Sequence, residues 1–595
     1  MLPLALLGLT LHAVLVGADV LPHYDAILLV PLVVLFARGL AGLTVKQRFW
    51  LTLLVFVIFG AGLHAHQLRF GYAGRHALVG GVIPWSDADG FLSNAWRLLH
   101  GMRSTVRPVF VMTFAATLSA VGHDVRIAVC VYALAIALVM SAVVTRLGER
   151  YGWKAFAGIL VVFLFILRRN GFVLATESVG LVAGLVAFEA FASCLGEDVR
   201  GGWLLPAGFF VLGLALMARP GPFLAVPLVL AWLQYRGGRW KLTAACAVAF
   251  GLAFATNLAI VKTTAEPGQQ VGLEFPAILY GAMHGEDYTE LCIRNKDVCS
   301  LPPEERRAAV LRRMGEEISA RPWLPLGFLQ GAAAFVGSPH GQLSLLLFDP
   351  DDQDFERVPP LEGLRRAGIY RALNLAVIAL LAVGLVALSW RAMWRRRKST
   401  ERDLLAECAQ VVVLGAMLSA CVTPPWITEA AQLQTTTLGF FALLPWTYER
   451  EKPRAIPISA RRVWIEQLAL VGALTAAWLF VVTRTNDVPA CTAGTRTVHT
   501  EPSTLVRARA ADEGGYTLAR MLVNLERMKR HNPRFVGPLL GLAREGIAFT
   551  MVFDACAGRA SVLAGDAEVI GALPAGWTTV TATQADEDGR IFRVP

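Results

Sequence analysis

The chain has 595 residues, of which 55% are hydrophobic and 17% charged, with a mean hydropathy of +0.52 and a formal net charge of +10. A soluble domain carries about a quarter charged residues, so this composition excludes an ordinary soluble enzyme and fits a membrane protein. The positive charge sits in short loops between apolar runs, where it sets orientation; nucleic acid is not implied as a partner.

A spanning helix needs about twenty mainly apolar residues, fewer where flanking groups snorkel or the bilayer thins. Such runs lie at 3–18, 26–43, 49–64, 125–145, 154–173, 178–194, 203–218, 220–235, 242–262, 369–390, 404–421, 431–448 and 463–483. They predict an all-α polytopic membrane protein with about thirteen spans. The first run also resembles a signal peptide, with Val16-Gly17-Ala18 as a small-residue cleavage site. It lacks a basic leading segment, so a retained helix is the expectation.

Basic residues orient the runs. Arg38, Lys46 and Arg48 separate the second and third runs, and Arg146, Arg150 and Lys154 follow the fourth. Arg236, Arg239 and Lys241 follow the eighth, the cluster Arg391, Arg395, Arg396, Arg397, Lys398 and Arg402 the tenth, and Arg450, Lys452, Arg454, Arg461 and Arg462 the twelfth. One orientation puts every cluster in the cytoplasm, with the amino terminus inside and the carboxyl terminus outside. Two apolar stretches, 109–121 and 324–348, must then not span; both are expected to lie in or dip into the outer interface.

This layout divides the chain into a transmembrane domain over 1–483, with outer loops at 65–124 and 263–368, and an extracytoplasmic domain over 484–595. In the tail, 516–530 has helical periodicity, whereas 547–553 and 591–594 resemble strands, so a small α+β fold is expected. Five of the nine cysteines lie in or at the ends of spans, and the other four form outer pairs: Cys292 with Cys299, and Cys491 with Cys556. That distribution predicts two disulfides in an oxidising compartment. A zinc site is the rival for the first pair, with His284 as weak support.

The segment richest in chemistry is Trp85-Ser86-Asp87-Ala88-Asp89-Gly90-Phe91, which continues through Asn94, Ala95, Leu98, Leu99 and Gly101 to Arg107-Pro108-Val109-Phe110. Carboxylates between a spanning helix and a short amphipathic one sit at the membrane–water boundary, where an acid stays solvated while facing a lipid headgroup. The structural alternative is that Asp87 or Asp89 caps the helix beginning near Phe91. A D-x-D metal site for a nucleotide sugar fits poorly, because nucleotide sugars are cytoplasmic and this loop is expected outside.

The order Asp87, Phe91, Ala95, Leu98, Leu99, Gly101, Arg107, Pro108, Phe110 resembles the first outer loop of the GT-C superfamily of integral-membrane glycosyltransferases. Protein O-mannosyltransferases and the bacterial transferase that adds aminoarabinose to lipid A belong there. Downstream, Gly122-His123-Asp124, Thr145-Arg146-Leu147-Gly148-Glu149-Arg150-Tyr151-Gly152, Thr176-Glu177 and Met217-Ala218-Arg219-Pro220 resemble further family junctions in order. The likeness covers about 65–235 and departs from the usual pattern at Phe91, commonly Tyr, and Glu177, commonly Asp.

The resemblance implies a polyprenyl-phosphate sugar as donor, and a cell-envelope glycan, lipid or protein as acceptor, at the outer face of a bacterial inner membrane. It assigns Asp87 as the catalytic base and Arg107 to the donor phosphate, with Arg103 and Arg219 as further outer-face cations; snorkelling is the competing reading for these two. Glu177 and Asp89 form a second acidic site. Two roles stay open for Glu177: orienting the acceptor or a divalent metal, and capping the helix from Ser178. Glu189, Glu407 and Glu429 lie in or beside spans; the first two are expected near cytoplasmic ends, where solvation costs less. Rival functions are a lipid or polysaccharide transporter or flippase, and a ligase of whole glycan blocks.

Overall fold

The computed structural model describes residues 1–18, 20, 26–70, 78–79, 83–84, 91, 94–95, 98–99, 101, 103–104, 107–122, 125–170, 176–194, 202–218, 223–237, 239–265, 275–285, 290–329, 404–422, 460–484, 505–508, 549–554, 559–564, 578–580 and 591–593. Within these limits the protein is mainly helical. The amino-terminal helices are α1 (Leu2–Gly17), α2 (Ala26–Leu40) and α3 (Val45–Phe70). Then come α4 (Pro108–Ala120), α5 (Val125–Tyr151), α6 (Trp153–Asn170), α7 (Glu177–Cys194), α8 (Leu204–Ala218), α9 (Ala225–Gly237) and α10 (Trp240–Thr264). A compact group follows: α11 (Phe275–Met283), α12 (Glu290–Arg294), α13 (Lys296–Ser300), α14 (Pro303–Ala320) and the 3-10 turn Leu324–Gly327. Two further bundle helices are α15 (Leu404–Cys421) and α16 (Ala460–Arg484).

Every expected span that falls inside the described residues lies on a helix, whereas 369–390 and 431–448 lie outside them. Among the described residues, four helical stretches are long and apolar enough to cross a membrane: Val45–Ala65, Ile127–Glu149, Trp240–Thr264 and Val463–Thr483. Leu2–Gly17, Leu28–Leu40, Trp153–Leu164, Ser178–Phe191 and Leu204–Ala218 are shorter apolar helices. Chain parity across the membrane is therefore not fixed by helix length.

Local chemistry sets the helix ends. Thr44-x-x-Gln47 forms a reciprocal capping box at the start of α3: the Gln47 amide donates to Thr44 Oγ1 (3.3 Å), and the Thr44 amide donates to Gln47 Oε1 (3.0 Å). Arg48 Nε and Nη2 donate to the Leu40 and Ala41 carbonyls at the end of α2, at 3.0 and 2.7 Å. Basic side chains there satisfy carbonyls that the helix leaves without an amide.

Small residues let the helices approach closely. A Cβ on Gly213 of α8 would come 2.5 Å from Ala253 Cβ of α10, and one on Gly415 of α15 would come 2.2 Å from Ala225 Cα of α9. α8 packs between α7 and α10, and α3 between α1 and α5. A continuous apolar core, including Phe36, Phe56, Phe163 and Phe209, runs through these contacts.

The 109–121 stretch, expected to lie in or dip into the outer interface, is enclosed by other helices. It forms α4, whose Val109, Phe110, Val111, Met112, Phe114, Ala115 and Leu118 are at most 2% exposed. α4 packs against α5, α8, α10 and α16. A helix of uniformly high hydropathy carries no stripe to distinguish lipid from protein as its surroundings. Of the second stretch, 324–348, only the first residues are described, as the 3-10 turn.

In the tail, strands β3 (Leu505–Ala508), β4 (Phe549–Asp554) and β5 (Arg559–Ala564) pair antiparallel in that order, and β6 (Thr578–Val580) pairs with β7 (Ile591–Arg593). Two shorter strands, β1 (Leu78–Val79) and β2 (Ile83–Pro84), form a hairpin before the first-loop motif. The helix expected over 516–530 and the Cys491–Cys556 pair lie outside the described residues.

Candidate functional site

The first-loop motif is built around one aromatic contact. Phe91, Ala95, Leu98 and Leu99 are helical and buried, spaced so that one face carries all four. The Phe91 ring meets Phe110 of α4 edge-on at 5.2 Å, and Phe110 stacks on Phe114 at 6.0 Å. Such pairs add about 1 kcal/mol beyond area burial. Tyr132 of α5 closes the group, its hydroxyl donating to Thr113 Oγ1 at 2.9 Å. Phe91 is thus a packing residue, and in this setting a ring without a hydroxyl leaves no buried polar atom.

Gly101 ends this helical stretch with φ 76°, and its amide donates to the Leu98 carbonyl at 3.1 Å. Such a left-handed turn is the conformation glycine adopts without steric cost. Next, fully buried Ser104 binds in two directions. Its amide donates to the Thr264 carbonyl at the end of α10 (2.7 Å), and its hydroxyl donates to Asn94 Oδ1 (2.8 Å). Ser104 therefore fixes the motif to the end of a long membrane-type helix, a role with no signal in the sequence.

Arg107 follows, exposed, at φ 42° and ψ 61°, as the residue before α4. Among the described residues it is the sole non-glycine with positive φ. Pro108 at the first helical position supplies the fixed φ that a helix start favours. The Arg107 carbonyl accepts the Val111 amide at 3.0 Å, so the first turn of α4 hangs directly on the strained residue. The amino end of a helix carries partial positive charge, and Arg107 adds a full one. Arg103 is half-buried on the same short connection.

Asp87, Asp89 and Arg219 lie outside the described residues, as does Glu429. For Glu177 the backbone alone is described: the Thr176 carbonyl accepts the Gly180 amide at 3.3 Å, so Thr176 holds the cap position and Glu177 opens α7. The expected helix start at Ser178 thus moves one residue earlier. Carboxylates in a first turn interact favourably with the helix dipole. Near Arg219, the Leu224 amide donates to Ser419 Oγ at 3.0 Å, tying the junction before α9 to α15.

Two clusters were not foreseen. Arg146 of α5 pairs with Glu189 of α7 and, through both terminal nitrogens, with Glu466 of α16 at 2.7 and 3.4 Å. Glu189 is 3% exposed, so its charge is held by pairing with Arg146 rather than by direct solvation.

The second cluster lies in the group α11–α14, closed by the Cys292–Cys299 disulfide with a Cα separation of 5.4 Å. Tyr280 Oη donates to Glu317 Oε1 (2.9 Å) and accepts from Asn295 Nδ2 (2.8 Å), while Arg313 Nε donates to Asn295 Oδ1 (2.9 Å). His284 Nε2 lies 2.8 Å from Glu317 Oε2, and Arg294 Nη1 lies 3.2 Å from His284 Nδ1. Because arginine only donates, this fits the tautomer with the proton on Nε2. Burial pushes the Tyr280 hydroxyl up to about 12, helped by the hydrogen bond to Glu317 and opposed by that from Asn295. Neither His284 nitrogen is left for zinc, and among the described residues no three His, Cys, Asp or Glu side chains gather as metal ligands.

The chain matches no known protein family and no curated protein.

Proposed function

We propose that this chain is a GT-C-type glycosyltransferase that moves a sugar from a polyprenyl-phosphate donor to a cell-envelope glycan, lipid or protein at the outer face of a bacterial inner membrane. The observation that carries the reading is Arg107: an exposed arginine held in a left-handed conformation at the amino end of α4. Backbone strain of this kind persists where the surroundings over-determine it, and it clusters at functional sites. The packing of Phe91 on Phe110 and the two bonds of Ser104 supply that determination.

In this mechanism an acceptor hydroxyl attacks the anomeric carbon while the bond from that carbon to the phosphate oxygen breaks. The Asp87 carboxylate takes the hydroxyl proton, and the phosphate leaves with the electron pair. Charge grows on the leaving phosphate, so Arg107, with Arg103 and Arg219, helps more in the transition state than before it. Glu177 and Asp89 form the second acidic site.

The finer topology belongs to the same proposal: thirteen spans, amino terminus inside, and an outer α+β tail closed by Cys491–Cys556. The paired strands β3–β4–β5 support the tail fold. A disulfide closing a loop of about 65 residues stabilises by roughly 4 kcal/mol in the chain-entropy account. Non-reducing peptide mapping should recover the 491–556 peptide pair.

One observation favours a transporter: Arg146, Glu189 and Glu466 pair across three helices near one end of the bundle, and transporters keep ionisable residues between helices. Asp87→Asn separates the two. Asn caps a helix about as well as Asp but is no carboxylate base. With a radiolabelled polyprenyl-phosphate sugar and envelope extract, transfer by Asp87→Asn should fall about a hundredfold, the usual scale for removing a general base. Normal transfer by a folded Asp87→Asn protein would return Asp87 to a capping role. Lipid movement without any glycosidic bond formed by the native chain would establish the transporter.

A further inference from the structure

The group α11–α14 ends in a turn whose outer edge is apolar. Trp323, Leu326 and Leu329 are 65%, 63% and 61% exposed. They are spaced three apart, and in a 3-10 helix of three residues per turn positions i and i+3 eclipse, so Trp323 and Leu326 share one edge. The inner side of the turn is fixed, because a Cβ on Gly327 would come 2.0 Å from the Met283 carbonyl oxygen at the end of α11. By contrast, α14 exposes mainly polar side chains, among them Glu305, Arg307, Arg312 and Glu316.

We propose that this edge seats in the lipid bilayer, with Trp323, Leu326 and Leu329 in the interfacial zone at the end of α10. Three observations choose lipid over another protein. Tryptophan beside leucines and a cation, here exposed Arg321, is the composition that anchors at a membrane–water boundary. The group begins at the end of the bundle, where the Phe275 ring meets Phe223 edge-on at 6.5 Å. It also comes next in chain order among the described helices after α10, which exposes Leu252 (55%) and Leu258 (54%) along a membrane-type helix. This inference rests on the membrane character of α10 and is independent of the glycosyltransferase reading.

Photo-crosslinking tests it on the full chain in phosphatidylethanolamine–phosphatidylglycerol vesicles. Benzoylphenylalanine replaces Trp323, Leu326, Leu252 or Arg312, one position per protein, and adducts are identified by mass spectrometry. Positions 323 and 326 should yield phospholipid adducts at a level comparable with 252, and 312 should yield none. The 252 protein checks that the chain is inserted, and Leu326 provides a second probe if replacement of Trp323 disturbs the turn. Adducts from 323 and 326 to another segment of this chain or to a second protein would overturn the proposal. So would the absence of lipid adducts there while 252 is labelled, or equal labelling at 312.

Discussion

Arg107 joins two properties that a single substitution usually removes together: its backbone conformation and its charge. Left-handed backbone costs a non-glycine residue roughly 1–2 kcal/mol, and glycine adopts it freely. Arg107→Gly should therefore keep α4 in place, leaving the melting temperature in detergent unchanged or slightly raised. Transfer from the polyprenyl-phosphate donor should still fall at least tenfold, the scale of losing one charge-assisted contact to phosphate. Arg107→Ala keeps the strain and loses the charge, so it should lose transfer equally without the gain in stability. Full transfer by Arg107→Gly would show that the charge is not used. At this scale legibility is uneven. Thr44-x-x-Gln47 is readable as a cap, because both partners lie within one turn. The αL conformation of Arg107 is not, since a residue before proline is biased towards extended backbone. Ser104 is silent for a different reason: its partner carbonyl is at Thr264, far along the sequence.

At the scale of elements, apolar runs mark where helices form but not what surrounds them. The 109–121 stretch shows this, because its uniform apolarity does not reveal that it is buried among four helices. The acids of the bundle show the same limit from the other side. Glu189 is conspicuous in an apolar run, yet its partners come from α5 and α16, and Glu466 is 320 positions from Arg146. Removing Arg146 would leave two carboxylates facing each other, so Arg146→Met should destabilise the bundle by roughly 3–5 kcal/mol, the cost of an uncompensated buried charge. Adding Glu189→Gln and Glu466→Gln should recover much of that loss, read as melting temperature in the same detergent. No recovery would mean that the arginine acts through packing rather than charge. The disulfide-closed group has a pH dependence of its own. Tyr280 is held neutral in the fold, up to about 12 against an ordinary value of 10. Its contribution is therefore fully present below pH 10 and is lost as the pH rises through 10 towards 12. Amide exchange in α11–α14 should accelerate across that window, and Tyr280→Phe should remove the step; an unchanged step in Tyr280→Phe would assign it to another group.

At the scale of the molecule, sidedness is where sequence and structure meet most directly. The basic clusters orient the runs without saying which helix ends lie together. The structure supplies those neighbours. Arg146 reaches Glu466 at one end of α5 and α16, whereas Trp478 Nε1 donates to Thr263 Oγ1 (3.0 Å) at the opposite end of α16. Thr264, beside it, accepts the amide of Ser104, and Phe275 meets Phe223. The first-loop motif, the end of α10 and the start of the disulfide-closed group are thus joined at one end of the bundle. The opposite end carries Arg146, with Arg239 and Lys241 at the start of α10. In the proposed topology that second end is cytoplasmic and the first is outside. Cysteines introduced singly at 103, 308 and 87 should therefore react with a membrane-impermeant maleimide on intact spheroplasts. Cysteines at 46, 239 and 396 should react only after the membrane is opened. The mechanism needs this arrangement, because the base, the cations and the donor phosphate must share one side. Labelling at 87 from the cytoplasm alone, with 308 labelled from outside, would detach Asp87 from the Arg103–Arg107 connection and end the catalytic assignment. Labelling of all six from the same side would instead show that the basic clusters do not orient this chain.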